Sequence, residues 1–193
     1  MDLLNFKNEA SRFLLAKGTL LIAEPFLNDP NFKRSVVLLC EHNEEGTLGF
    51  VLNNKSKYVV SDLLPDCPLS LLPIYEGGPV QMNTLHWIHR VPQLLAGIEI
   101  VENIYWGSNF ELLAGNLNNN MIAATDIRLF LGYSGWAAGQ LKQECNEGAW
   151  LGANANSDIV FNTSTDAAWK QAIGLLGTKY KFLANIPINP QLN

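Results

Sequence analysis

Histidine, cysteine and clustered basic charge are all scarce in this sequence. The 193 residues include three histidines and three cysteines, with 13 Lys plus Arg against 18 Asp plus Glu. The cysteines, Cys40, Cys67 and Cys145, are odd in number and have no regular spacing. That does not suggest a disulfide framework, and Cys40 with His42 falls short of the four ligands of a structural zinc site. The pattern reads as free thiols in a reducing, cytoplasmic compartment. Basic residues come in pairs at most (Lys33 and Arg34, Lys55 and Lys57, Lys179 and Lys181), in a chain of formal charge −5. Such a balance repels a phosphate backbone, so direct nucleic-acid binding is not expected. No apolar run approaches the length of a membrane span. Residues 1–17 interleave Asp2, Lys7, Glu9 and Arg12 with Leu4, Phe6, Phe13 and Leu14. That periodicity predicts an amphipathic helix and not the unbroken apolar core of a signal peptide. Repeats, low-complexity tracts and linkers are absent, so a single domain over residues 1–193 is expected.

Hydrophobic residues make up 48% of the chain, enough for a core of its own. "TLLIA" predicts a strand over 19–23. "SVVLLCEH" (35–42) is apolar at consecutive positions, as in a central strand covered on both faces. "NEEG" then turns the chain into "TLGFVLNN", which makes a hairpin. A short helix is expected in "YVVSDLLPD", stopped near Pro65. "PIYEGGPV" reads as a strand broken at Gly77 and Gly78. "TLHWIHRV" reads as a strand, with "GIEIVENIYWG" its antiparallel partner. Ser108 and Glu111 form a capping-box signature for a helix in "SNFELL". "DIRLFLGY" is a strand, and "GQLKQECNEGAW" continues from it as a helix. "DIVF" is a short strand. The last helix starts at the Thr163 and Asp166 signature and stops at Gly177. The sum is an α+β chain rich in antiparallel hairpins.

The stretch "GYSGWAAGQL" (132–141) raises the question of chemistry. A nucleophile elbow reads G-x-S-x-G. Here Trp136 occupies the place of the second glycine, and all the histidines precede Ser134. A small residue in a tight strand-to-helix turn is the better reading. Gly132, Gly135 and Gly139 match neither the dinucleotide fingerprint nor the P-loop. Packing is therefore favoured over an anion cradle. His86 and His89, three apart on a strand, point to opposite faces and do not form a chelate. Cys40 and His42, two apart, share a face. No metal and no cofactor are expected.

Taken together, "GTLLIAEPFLNDPNFKRSVVLLCEHNEEGTLGFVLNN", "EGGPV", "GYSGWAAGQL" and "EGAWL" resemble the YqgE/AlgH family from about Gly18 to Ala184. The first helix and the tail 185–193 lie outside the resemblance. It implies a branched, largely antiparallel β-sheet, with a small barrel-like part, surrounded by helices. It also implies a label of transcriptional regulator, through association with control of alginate production in one lineage, without accepted catalytic residues. The motif positions it points to are His42, Asn53, Gly77, Gly78, Pro79, His86, Gly132, Tyr133, Gly135, Trp136, Gly139, Gln140 and Leu141. Ser134 departs from the alanine common there, and "AAG" at 137–139 departs from Gly-Pro-Gly.

With Glu76 added from its place at a strand end, the candidate pocket comprises His42, Asn53, Glu76, Gly77, Gly78, His86, Gly132, Tyr133, Gly135, Trp136 and Gln140. The expected function is regulatory binding through a protein partner or a small, anionic ligand. The alternatives are a hydrolase or transferase acting on a small anionic substrate, and an interaction module without a pocket.

Overall fold

The computed structural model describes residues 13–67 and 70–187. The expected first helix falls largely outside this range. Ten strands are arranged as β1 (Thr19–Ala23), β2 (Val36–His42), β3 (Gly46–Val51), β4 (Lys55–Val59), β5 (Pro73–Glu76), β6 (Val80–His89), β7 (Gly97–Val101), β8 (Ile104–Gly107), β9 (Ile127–Ala137) and β10 (Trp150–Asn154). The helices are α1 (Val60–Leu63), α2 (Phe110–Asn118), α3 (Gln140–Asn146) and α4 (Thr165–Leu175). A π-helical turn (Asp158–Asn162) precedes α4, and a 3₁₀ helix (Thr178–Asn185) follows it.

The strands form one sheet in the order β10-β1-β2-β3-β9-β6-β8-β7, with β5 pairing β9 in parallel and β4 pairing β5. The other pairings are antiparallel. The sheet curls into a half-barrel. Its far end returns toward its beginning, and Lys17 Nζ donates to the Glu99 carbonyl at 2.8 Å. A Cβ on Gly18 would sit 3.0 Å from that of Val101. The branched, curled sheet is the one the resemblance implied.

Alternation along the strands builds the layers. In β2, Val36, Leu38 and Cys40 face the concave core, which α4 and the π-helical turn fill, while Val37 and Leu39 face an outer core under α3. A third cluster, with Ile74, Trp87 and Leu129, packs against Leu113 and Leu117 of α2. Both faces of β2 are buried, as its apolar run required.

Several elements differ from their local sequence signals. "DIVF" is helical and not a strand, since Ile159, Val160 and Phe161 are all buried at the concave core and helical packing satisfies them together. "GIEIVENIYWG" is itself the hairpin β7–β8, and only β8 pairs with β6. Tyr58 and Val59 belong to β4, which leaves α1 a single turn. Asn109, and not Ser108, caps α2 by accepting from the Leu112 amide. Ser164 occupies the N-cap of α4, one residue after Thr163. α3 ends at Asn146, so Trp150 opens a strand. The predicted turn "GYSGWA" is the continuation of β9, and only Ala138 and Gly139 turn the chain into α3. Cys40 and His42 do not share a face. A bulge between Leu39 and Glu41 shifts the β2–β3 register and turns His42 to the side of Leu141 and Cys145.

Candidate functional site

Three partner strands meet β9, and the point where they divide lies within its glycine-rich stretch. Leu129, Phe130 and Leu131 pair with β5, while residues 134–137 pair with β3 on the same strand of the sheet. β6 runs along β9 from Tyr133 to Ile127. Between the two halves Gly132 takes φ +64°, a left-handed bulge conformation that glycine adopts without strain. The bulge changes which residues face inward, so Phe130 and Tyr133, three apart, both pack on the concave core.

Gly77 and Gly78 wedge into this division. The Gly77 N–H donates to the Leu131 carbonyl at 2.8 Å, and its carbonyl accepts from the Val51 N–H at 2.9 Å. A Cβ at Gly77 would lie 2.4 Å from the Gly132 carbonyl, and one at Gly78 would lie 2.4 Å from the Ser134 nitrogen. The fully buried Ser134 hydroxyl donates to the Gly77 carbonyl at 3.0 Å. Ser134 thus ties two motifs of the sequence together inside the sheet. Beside them, His86 packs against Phe50 and Tyr133 and its Nε2 lies 2.9 Å from the Thr84 hydroxyl. Burial holds the His86 imidazole below the ordinary histidine range. Glu76 accepts from Asn54 Nδ2 at 2.8 Å at the end of β5.

Trp136 belongs to a different assembly. Its indole Nε1 donates to Glu144 Oε2 at 3.0 Å, and Trp150 Nε1 donates to the same oxygen at 2.8 Å. Gln140 accepts from the Ala137 N–H and donates to Glu144 Oε1. Phe32 stacks on Trp136 at 5.9 Å between centroids and meets Trp150 edge-on at 5.4 Å. Gln140 and Glu144, four apart on α3, therefore fasten the end of β9 to the start of β10. Glu144 is the residue that sequence reasoning missed. The signal was available in the Gln-x-x-x-Glu spacing between two tryptophans.

Five of the candidate residues line three separate clefts. Tyr133, Gly135 and Trp136 line an open cleft of about 400 Å³ between β9 and the β2–β3 hairpin, together with Glu41, Glu45 and Val80. On the other face of the same hairpin, His42 borders a cleft of about 530 Å³ with Leu141, Lys142 and Cys145, and its Nδ1 lies 2.6 Å from the Thr47 hydroxyl. Asn53 clamps the β1–β2 loop, accepting from the Val36 N–H and donating to the Arg34 carbonyl. It also borders a cleft with Lys33, Arg34 and Lys170. Burial raises the Cys145 thiol to about 12 and pushes Cys40 well above the usual thiol range. Among the described residues no group of three or more His, Cys, Asp or Glu side chains is arranged to hold a metal ion. No described helix is long and apolar enough to cross a membrane.

Comparison with known proteins places this architecture. A family model described as AlgH-like matches residues 20–181. The UPF0301 protein of Chlorobaculum tepidum is 40% identical over 181 residues, which cover 93% of this chain and 97% of that one. That of Chlorobium luteolum is 41% identical over 96% of this chain and 98% of its own length. The solution structure of the AlgH protein from Pseudomonas aeruginosa superposes with a TM-score of 0.70 at 29% identity, covering 89% of this chain and 94% of that one. Protein DIP2367 of Corynebacterium diphtheriae shares the fold, with a TM-score of 0.77 at 24% identity over 94% of this chain and 97% of that one.

Proposed function

The chain belongs to the AlgH-like family, and on that premise we propose that it is a cytoplasmic regulatory protein that acts by binding a partner without reading DNA directly. Its binding element is the cleft between β9 and the β2–β3 hairpin. One observation carries this reading. Tyr133, Gly135 and Trp136 of the glycine-rich stretch open together into that cleft beside Glu41 and Glu45. The branched sheet and the Trp136–Glu144 bond hold them in place. Carboxylates near an aromatic face suit a cationic group, an amine or guanidinium of a protein partner, better than an anion. The formal charge of −5 supports the same preference and disfavours a phosphate backbone. The free, buried thiols of Cys40, Cys67 and Cys145 fit a reducing compartment.

Amide NMR titration of the intact protein with arginine amide and with a short arginine-rich peptide tests the reading. Shifts are expected at residues 41–48 and 133–136, and they are expected to weaken in Glu41→Gln/Glu45→Gln. Equal shifts in the double variant, or none in the wild type, would overturn it.

A further inference from the structure

The cleft that Asn53 borders has the reverse charge to the one on β9. It measures about 550 Å³ and lies between the β1–β2 loop, the first turns of α4 and the segment 184–187. Lys33, Arg34 and Lys170 line it, with Asp166 the acid among its lining residues. The buried Glu24 carboxylate faces Arg34 from behind the lining, so the cations outnumber the acids three to two, a local excess in a chain whose overall charge is negative.

The arrangement around Arg34 is built rather than incidental. Arg34 holds φ +56°, a conformation costly for a residue with a side chain. Its backbone carbonyl is bonded to Asn53 Nδ2 at 2.9 Å. Its guanidinium lies 4.0 Å from the Trp169 ring centroid, and Nη2 donates to the Ile186 and Pro187 carbonyls. Arg34 Nε is buried and has no hydrogen-bond partner among the described residues. Lys33 and Lys170 are exposed, and no described residue forms an ion pair with either ammonium. Thr165 and Asp166 form the first turn of α4, where the Ser164 side chain makes no capping bond. First-turn amides have no acceptor within their own helix.

We propose that this cleft binds a small organic phosphate monoester, with Lys33 and Lys170 neutralising the dianion and Arg34 and the start of α4 orienting it. Two exposed ammonium groups and a guanidinium held by Trp169 and two carbonyls suit a dianionic phosphate. The volume exceeds what a bare phosphate fills, and Trp169, Ala184, Ile186 and Pro187 offer apolar surface to the organic part. The site is separate from the acidic cleft on β9, so each reading stands or falls alone.

Isothermal titration of the intact protein at fixed ionic strength, with glycerol 3-phosphate, inorganic phosphate and succinate as probes, tests the proposal. Glycerol 3-phosphate is expected to bind best, with NMR shifts at Asn53 and residues 165–170. Lys33→Ala and Lys170→Ala are each expected to weaken it by roughly threefold or more, and Asp166→Asn to tighten it by a similar factor. All three side chains are exposed, so these variants keep the fold. Thermal unfolding of each checks this. Binding insensitive to the lysines, no tightening in Asp166→Asn, succinate binding as well as the phosphate ester, or no heat and no shift with any probe would each overturn the proposal.

Discussion

Replacing Glu144 by alanine removes the acceptor on which two indole N–H groups converge. Trp136 and Trp150 are 5% and 1% exposed, so water has little access to either indole in the folded chain. The lost bonds are 3.0 and 2.8 Å long and end on a carboxylate oxygen. A buried donor left without an acceptor costs about 1–3 kcal/mol, and more when the acceptor was charged. Doubled, that bounds the loss at about 2–6 kcal/mol. Glu144 is only half-buried, and the space vacated by its side chain admits water to one indole. The expected loss is therefore about 3 kcal/mol, a large share of the stability of a domain. Glu144→Gln retains an oxygen able to accept from both indoles. It forfeits the charge and the bond from Gln140, so about 1 kcal/mol is expected. Urea unfolding followed by far-UV circular dichroism measures both variants without relying on the tryptophans as probes. If alanine costs less than about 0.5 kcal/mol, or glutamine costs as much as alanine, the shared acceptor does not hold the β9–β10 junction.

The other expectations concern the branch point, the histidines and the thiols. Gly77→Ala puts a Cβ 2.4 Å from the Gly132 carbonyl and is expected to cost about 3 kcal/mol or prevent folding. Gly139→Ala meets open space and bears only the strain of φ +76°, about 1 kcal/mol, in the same urea assay. Burial lowers His86 and His89, the Ala96 carbonyl partly offsetting it at His89. Stability is therefore flat above the ordinary histidine value of about 6.5 and falls as the pH drops from there through the lowered native values. Melting curves between about pH 8 and 5 should show that fall, and His86→Gln should reduce it. With its pKa at about 12, Cys145 leaves roughly one thiolate in ten thousand at pH 8, so disulfide-exchange reagents should label it slowly until denaturant is added.

Much of the sheet was legible because its strands are apolar in ways that admit few arrangements. Val36 to Cys40 could only be covered on both faces, and they are. What was not legible depends on partners distant in the chain. Gly132 and Gly135 look locally like a turn. They sit in a strand because Gly77 and Gly78 come within backbone distance of the same stretch. Ile159 to Phe161 have strand-forming side chains, yet the concave core takes all three in a helical turn. The bulge beside Cys40 moved His42 to the other face, and no spacing rule reveals a bulge. The candidate residues were legible one by one. The spread of five of them over three clefts follows from the branching and from the bulge, and both are set by strand pairing.

The branching has a consequence for synthesis. β3, β5 and β6 are all complete by residue 89, but the strand that joins them spans Ile127–Ala137. A nascent chain that has not reached that point carries strands whose backbone donors and acceptors face no partner, and open edges of this kind recruit other chains. The middle of the sheet is therefore joined by one late strand, and only β10 is added after it, on β1. Fragments ending before Ile127 should be insoluble, although they contain most of the strands of the finished sheet. The glycines at 77, 78 and 132 then have a role in time as well as in space: they leave a slot into which the late strand can fit.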